Sequence, residues 1–361
     1  MIAASLQVAT EAASAPSLLG IRVEFVLFAM TLLGVAVLHA RAMYVALGGL
    51  AAILSFKLLF DGSFDPIEHM LGSPAQEGEW RILLNLLGLL LGFAILARHF
   101  EESRIPLALP AFLPNDWKGG FVLLAMVFVL SSFLDNIAAA MIGGAIAHVV
   151  FRERVHVGYL AAIVAASNAG GSGSVVGDTT TTMMWIEGVP AREVLVAYLS
   201  ALPALLVFGW AAARQQDRYN PITAEAPAVV RVDWKRVSVV FMILAGTIAT
   251  NVLLDFPAVG VWAALLIGAT FTRTPWGELR TAARGAVFLL ALVMCASMMP
   301  VDELPPASWT SSFGLGFVSA VFDNIPLTKL ALEQGGYDWG ILAYAVGFGG
   351  SMIWFGSSRS P

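Results

Sequence analysis

Charge is what this 361-residue chain has least of. Asp, Glu, Lys and Arg together make up 12 % of it, about half the share of a soluble domain. That scarcity excludes a soluble enzyme, a secreted scaffold and a disordered chain. The formal net charge is −5, so there is no basic surface for nucleic acid. Cysteine is nearly absent: Cys295 is the only one, which excludes an internal disulfide and any cysteine-based metal centre. Alternating apolar and polar strand patterns are missing too, which excludes an outer-membrane barrel. What is present instead is apolar: 58 % of residues and a mean hydropathy of +0.79. These values predict an all-α polytopic membrane protein.

A membrane-spanning helix needs about 20 mostly apolar residues. Such runs lie near 24–40, 42–60, 81–99, 157–187, 194–212, 237–254, 257–272, 284–300 and 339–356. Two further segments differ. Residues 119–151 carry Ser131-Ser132-Phe133-Leu134-Asp135-Asn136 at their centre, and residues 311–332 carry Phe322-Asp323-Asn324-Ile325-Pro326. Neither half of either segment is long enough to span. A polar break between two half-length arms predicts a re-entrant hairpin, which protein or a water-filled cavity must surround.

The cations set the orientation. With both segments as hairpins and the N-terminus outside, Arg41, Arg98, Arg104, Lys118, Arg152, Arg154, Arg273, Arg280 and Arg284 share one side with the basic stretch 213–236. The opposite loops are acidic. The positive-inside rule makes the first side cytoplasmic. The residues before Gly20 have no basic start and no clean cleavage site, so they read as a polar tail rather than a signal peptide. Residues 213–236 then read as a cytoplasmic linker between a first repeat, 1–212, and a second repeat, 237–361.

The two halves share motifs. Ser131-x-x-x-Asp135-Asn136-Ile137 matches Ser319-x-x-x-Asp323-Asn324-Ile325, and Gly170-Gly171-Ser172 with Gly177 matches Gly349-Gly350-Ser351 with Gly356 at the same spacing. The first hairpin opens to the cytoplasm and the second to the outside. That is an inverted-topology repeat, a plan of secondary transporters whose site lies where broken helices and hairpin tips meet.

Ser167 to Thr182 holds the chemistry of the first broken helix. Its clustered glycines make a continuous helix costly, by about 1 kcal/mol each. Unwinding frees carbonyls for a cation, and a new half-helix starting near Thr179 takes Asp178 as its cap. Candidate ion and proton ligands there are Ser167, Asn168, Gly171, Ser172, Asp178 and Thr179, with Ser351 the counterpart of Ser172. The alternative is a Gly/Ser/Thr face for close helix packing. Asp135 and Asp323 stand out more, because a carboxylate at bilayer depth is costly and marks an ion or proton path by default. Asn136 and Asn324 beside them both donate and accept. The plainer alternative is that each Asp only caps its hairpin arm. Lys57 and Lys329 are expected to reach an interface, as long cationic side chains do, with ion-pairing in the site the alternative for Lys329. His148 is expected to be interfacial.

At these residues the chain resembles the ion transporter superfamily, which holds NhaD-type sodium/proton antiporters, arsenite permeases and citrate or dicarboxylate carriers. The resemblance is strongest at SSFLDNIAAAMI, SNAGGSGSVVGDTTTTMMW, SAVFDNIPL and GFGGSMIWFGSS, and it favours the sodium/proton branch. Dicarboxylate carriers of the superfamily have Ser-Asn-Thr at the tips, where this chain has Asp-Asn-Ile. The resemblance implies two repeats, each with a re-entrant hairpin and a broken helix, and a homodimer. It also implies that Asp135, Asn136, Asn168, Asp178, Asp323 and Asn324 serve the cation and the proton. One departure stands against it: the chain stops soon after Gly356-Ser357-Ser358, where the superfamily continues through another half-helix and a span. The second repeat is therefore expected to be incomplete.

The expected function is sodium/proton antiport by alternating access in a bacterial-type inner membrane. Sodium and protons are the only small partners expected, with no cofactor, no transition metal and no enzymatic activity. A sodium- or proton-coupled citrate or other anion carrier is the first alternative, opposed by the repulsion of a carboxylate substrate by Asp135 and Asp323. A truncated, non-transporting relative is the second.

Overall fold

The computed structural model describes residues 16–18, 20–73, 76–222 and 230–352. Its apolar runs are helices almost throughout, because backbone groups surrounded by lipid must hydrogen-bond within their own segment. Among the described residues the strand content is two pairs of two-residue strands, Ser17–Leu18 with Ile21–Arg22 and Gly72–Ser73 with Gln76–Glu77.

The first half runs through α1 (Val23–Val37), α2 (Ala42–Phe60) and α3 (Trp80–Glu102). The predicted hairpin 119–151 is two arms, α4 (Trp117–Ser131) and α5 (Asn136–Val150), packed on each other around a break. The predicted broken helix 157–187 is α6 (Val157–Ser172) and α7 (Thr179–Ile186). The last element of this half, α8 (Ala191–Tyr219), is continuous. It widens into a π-helical turn over Leu205–Gly209, just after Pro203, a residue that has no N–H to give the ladder.

The second half holds α9 (Trp234–Leu254), α10 (Pro257–Gly268) and α11 (Glu278–Ser297). The predicted hairpin 311–332 is α12 (Trp309–Ser319) and α13 (Asn324–Gln334), and α14 (Trp339–Gly349) follows. Gly356, Ser357 and Ser358, the end of the expected broken helix 339–356, lie outside the described residues. So do residues 223–229 of the expected linker.

Among the described residues, five stretches are long and apolar enough to cross a membrane: His39–Phe60, Trp80–Phe112, Ala191–Tyr219, Trp234–Leu254 and Glu278–Ser297. Their outward faces carry exposed large apolar side chains, among them Leu199, Phe208, Phe241, Val252 and Leu253, where a lipid-facing surface needs them. The chain is a multi-pass, all-α membrane protein.

The helices that carry the site are central. α6 packs against α4, α5 and α8 of its own half and against α14 of the other. α12 and α14 lie close because both are small where they cross. A Cβ on Gly349 would meet the Gly316 carbonyl oxygen at 2.2 Å, so only glycine permits this approach. A core of Leu123, Val127, Ile163, Val261 and Leu265 ties the first hairpin to α10.

Candidate functional site

Three helices begin inside the protein, and an Asp caps each. Asp135 Oδ1 accepts the Ile137 amide at 2.9 Å at the start of α5. Asp178 Oδ1 accepts the Thr180 amide at 3.2 Å at the start of α7, and Asp323 Oδ1 accepts the Ile325 amide at 2.9 Å at the start of α13. The same chemistry caps the exposed helix starts through Asp116, Asp233 and Asp338. Capping is thus part of what the interior aspartates do. It uses one carboxylate oxygen of each and leaves the other.

The second oxygen of Asp178 is the informative one. Asp178 Oδ2 is fully buried and has no hydrogen bond of good geometry, nor has neighbouring Thr180 Oγ1, although the Thr180 and Asn136 side chains lie close enough to favour the carboxylate's charge. Oδ2 faces the other half of the molecule: a Cβ placed on Gly347 of α14 would lie 3.5 Å from it. The Asp178 carboxylate also interacts electrostatically with both Asp135 and Asp323. Asp178 is thus within electrostatic reach of each of the other two carboxylates picked from sequence.

The polar residues around them divide into two groups. One is locked. Ser131 Oγ donates to Asn136 Oδ1 at 2.6 Å, Ser167 Oγ donates to the Asn136 carbonyl, and Asn136 neighbours Asp178. Gly171 lies against this pair, where an added Cβ would be 2.1 Å from Asn136 Oδ1. Ser172 Oγ is spent on the Ala169 carbonyl at 2.9 Å. The other group bridges the halves: Asn168 Nδ2 donates to Ser351 Oγ at 2.7 Å. Thr179 is half-buried at the first position of α7. Asn324 is half-buried, and its side chain makes no hydrogen bond among the described residues. The tips are consequently not equivalent. Ser319, the counterpart of Ser131, donates to the Val346 carbonyl at 2.8 Å and leaves Asn324 alone.

The break itself is shorter than the glycine content suggested. Helix α6 continues through Gly170 and Gly171 to Ser172, and only 173–178 is non-helical. Hydroxyl groups take up carbonyls near the break. Ser132 Oγ and Tyr198 Oη both reach the Gly170 carbonyl, at 3.1 and 3.0 Å. Thr181 and Thr182 donate to the Asp178 carbonyl at 2.9 and 2.8 Å, and Ser174 Oγ donates to the Ser132 carbonyl at 2.6 Å. Each of these carbonyls thus already accepts a side-chain hydrogen bond.

Tyr198, Ser132 and Ser174 were not singled out from sequence. A lone Tyr within an apolar helix carries no signal that its hydroxyl turns inward. Lys329 departs from expectation. It does not reach an interface: it is 1 % exposed, and its ammonium is held by Glu79, Glu187 and Glu333. Three nearby carboxylates give it a better partner than water could. Lys57 pairs with Asp61 at 3.2 Å. His148 is exposed and lies 3.8 Å from Glu153.

No family model matches the chain. Curated proteins do. It is 25 % identical over 291 residues to "Sodium/proton antiporter 1" of Arabidopsis thaliana, covering 67 % of this chain and 48 % of that protein. It is 24 % identical over 288 residues to "Sodium/proton antiporter 2" of the same plant, 67 % of each. The match to the Na(+)/H(+) antiporter NhaD of Vibrio cholerae is 24 % over 321 residues, 72 % of this chain and 66 % of that protein. The chain thus spans about half the length of the first of these relatives. The matches support an NhaD-type relationship, in agreement with the resemblance seen at the motifs, and the relatives are transporters rather than enzymes.

Proposed function

We propose that the protein is a secondary active transporter that exchanges sodium for protons at the centre formed by Asp135, Asp178 and Asp323. The observation that carries this reading is Asp178 Oδ2, buried with no hydrogen bond of good geometry and within electrostatic reach of both tip carboxylates. A buried carboxylate oxygen without a donor is unstable as a bare anion. It is satisfied by a proton or by a desolvated cation. The two compete for the same oxygens, and that competition is the exchange. Asn136, Asn168 and Asn324 supply neutral oxygens beside the carboxylates, with Ser167, Gly171, Ser172, Thr179 and Ser351 shaping the space around them.

In this reading 119–151 and 311–332 are re-entrant hairpins of an inverted repeat, and 157–187 and 339–356 are its broken helices. Alternating access moves the hairpins relative to the remaining helices. The two halves, 1–212 and 237–361, are joined by the cytoplasmic segment 213–236. The N-terminus lies outside, the membrane is a bacterial-type inner membrane, and the working unit is a homodimer. The names of the Arabidopsis and Vibrio relatives support the choice of ions. A carboxylate substrate such as citrate is disfavoured, since it would meet three like charges.

The test is proton flux in everted vesicles energised to an acid interior and challenged in turn with sodium, lithium, potassium and citrate. Dissipation of the gradient by sodium or lithium is expected. Dissipation by citrate alone would replace this reading with the anion carrier.

A further inference from the structure

The largest unused concentration of buried charge lies away from the three aspartates. Lys329, midway along α13, is 1 % exposed. Its Nζ lies 2.5 Å from Glu187 Oε1, 2.7 Å from Glu333 Oε1, and 3.2 and 3.1 Å from Glu79 Oε1 and Oε2. The partners come from three places in the fold. Glu79 immediately precedes α3, Glu187 ends α7, and Glu333 lies one turn along α13. Glu79 is 8 % exposed, and its buried Oε2 has the ammonium 3.1 Å away as its ionic partner but no hydrogen bond of good geometry.

The charges do not balance. Three ionised carboxylates on one ammonium leave two negative charges uncompensated in a buried place, a costly state. A proton on one carboxylate removes part of the excess and lets two of the crowded carboxyl groups share a hydrogen bond. A metal ion is a poorer answer, because the ammonium already occupies the centre of the group. Among the described residues no set of three His, Cys, Asp or Glu side chains is arranged for a metal.

We propose that Lys329, Glu79, Glu187 and Glu333 form a proton-carrying latch on the outer side of the second hairpin, in which one exchangeable proton keeps α13 closed against α3 and α7. The placement on the outer side rests on the topology of the proposed transporter. Closed, the latch shuts the route from outside to Asp323, which lies six residues before Lys329, or about 9 Å along a helix. Loss of the proton leaves carboxylates that repel each other around a single ammonium, and the arm loosens.

The sign follows from linkage. Burial pushes the Glu79 carboxyl up to about 7, against the pull of Lys329 and with the help of Glu333 and Glu187. In the opened state the same carboxyl meets water and titrates in the ordinary range. The closed state is therefore favoured at low pH and loses its advantage as pH rises from the ordinary carboxylate range to about 7, by at most about tenfold per pH unit for one proton. A further titratable group faces the cluster. His69, half-buried and 3.0 Å from Ser297 Oγ, interacts with Glu333, Lys329 and Lys57. Burial holds its pKa below the ordinary value, so it needs its own control.

The test is labelling from outside by a membrane-impermeant maleimide in right-side-out vesicles. Thr328→Cys reports on the arm and Glu303→Cys serves as an exposed reference, each with Cys295→Ala. Taking their rate ratio removes the pH dependence of the thiol itself. The expected ratio rises with pH up to about 7 and then levels, stays low and flat in Glu79→Gln, and keeps its slope in His69→Gln. A flat ratio in the otherwise unchanged protein would overturn the latch even if Glu79→Gln failed to fold. So would a slope that survives Glu79→Gln. The readout needs no ion exchange, so the latch and the antiport reading can fail separately.

Discussion

The proposed exchange rests on a single oxygen atom of each aspartate. Asp135, Asp178 and Asp323 each give Oδ1 to a helix start, and what remains is Oδ2. Asn caps a helix about as well as Asp but cannot carry a proton or balance a cation. Asp178→Asn should therefore leave thermal stability within about 0.5 kcal/mol while reducing sodium-dependent proton flux to background. A melting curve and a vesicle assay on one preparation check both. Gly171 gives the opposite pattern. A Cβ there would press on Asn136 Oδ1 at 2.1 Å, a contact that must be relieved by moving the locked Ser131–Asn136 pair. Gly171→Ala should cost about 1–3 kcal/mol, seen as a lower melting temperature, and should impair exchange in proportion. The aspartates were legible in the sequence because a carboxylate within an apolar run has few reasons to be there. The environment of Lys329 was not. Only Glu333 shares its helix; Glu79 and Glu187 reach it through tertiary packing that no local periodicity encodes.

Breaks between helices are the elements that matter most. Those at 132–135, 173–178 and 320–323 were readable from polar residues and glycines inside apolar runs, and each is followed by a capped helix. The extent of the middle one was not readable, since Gly170 and Gly171 stay helical where α6 is braced by α4, α5 and α14. The contact of α6 with the residues after α14 is carried by Asn168 and Ser351, 2.7 Å apart. A buried side-chain hydrogen bond contributes about 0.5–1.5 kcal/mol. Asn168→Ala and Ser351→Ala should each destabilise by about that amount, and the double variant should cost clearly less than their sum. Strict additivity in a double-mutant cycle would mean that the two groups do not act together.

In the proposed inverted repeat the two hairpins enter from opposite faces of the membrane and bring carboxylates of both halves together. Single cysteines at Glu153 and Glu303, with Cys295 replaced, should label from the cytoplasm and from outside respectively; labelling of both from one side would dissolve the inverted repeat. The central claim is narrower than topology, namely that sodium and protons compete for the same carboxylate oxygens. Its most direct measurement is the pH change when sodium is added to purified protein in weakly buffered detergent solution, with no membrane and no gradient. Protons should be released in a saturable manner by the unaltered chain, and release should be lost in Asp178→Asn. Sodium binding that releases no protons, or proton release that persists undiminished in Asp178→Asn, would contradict the claim.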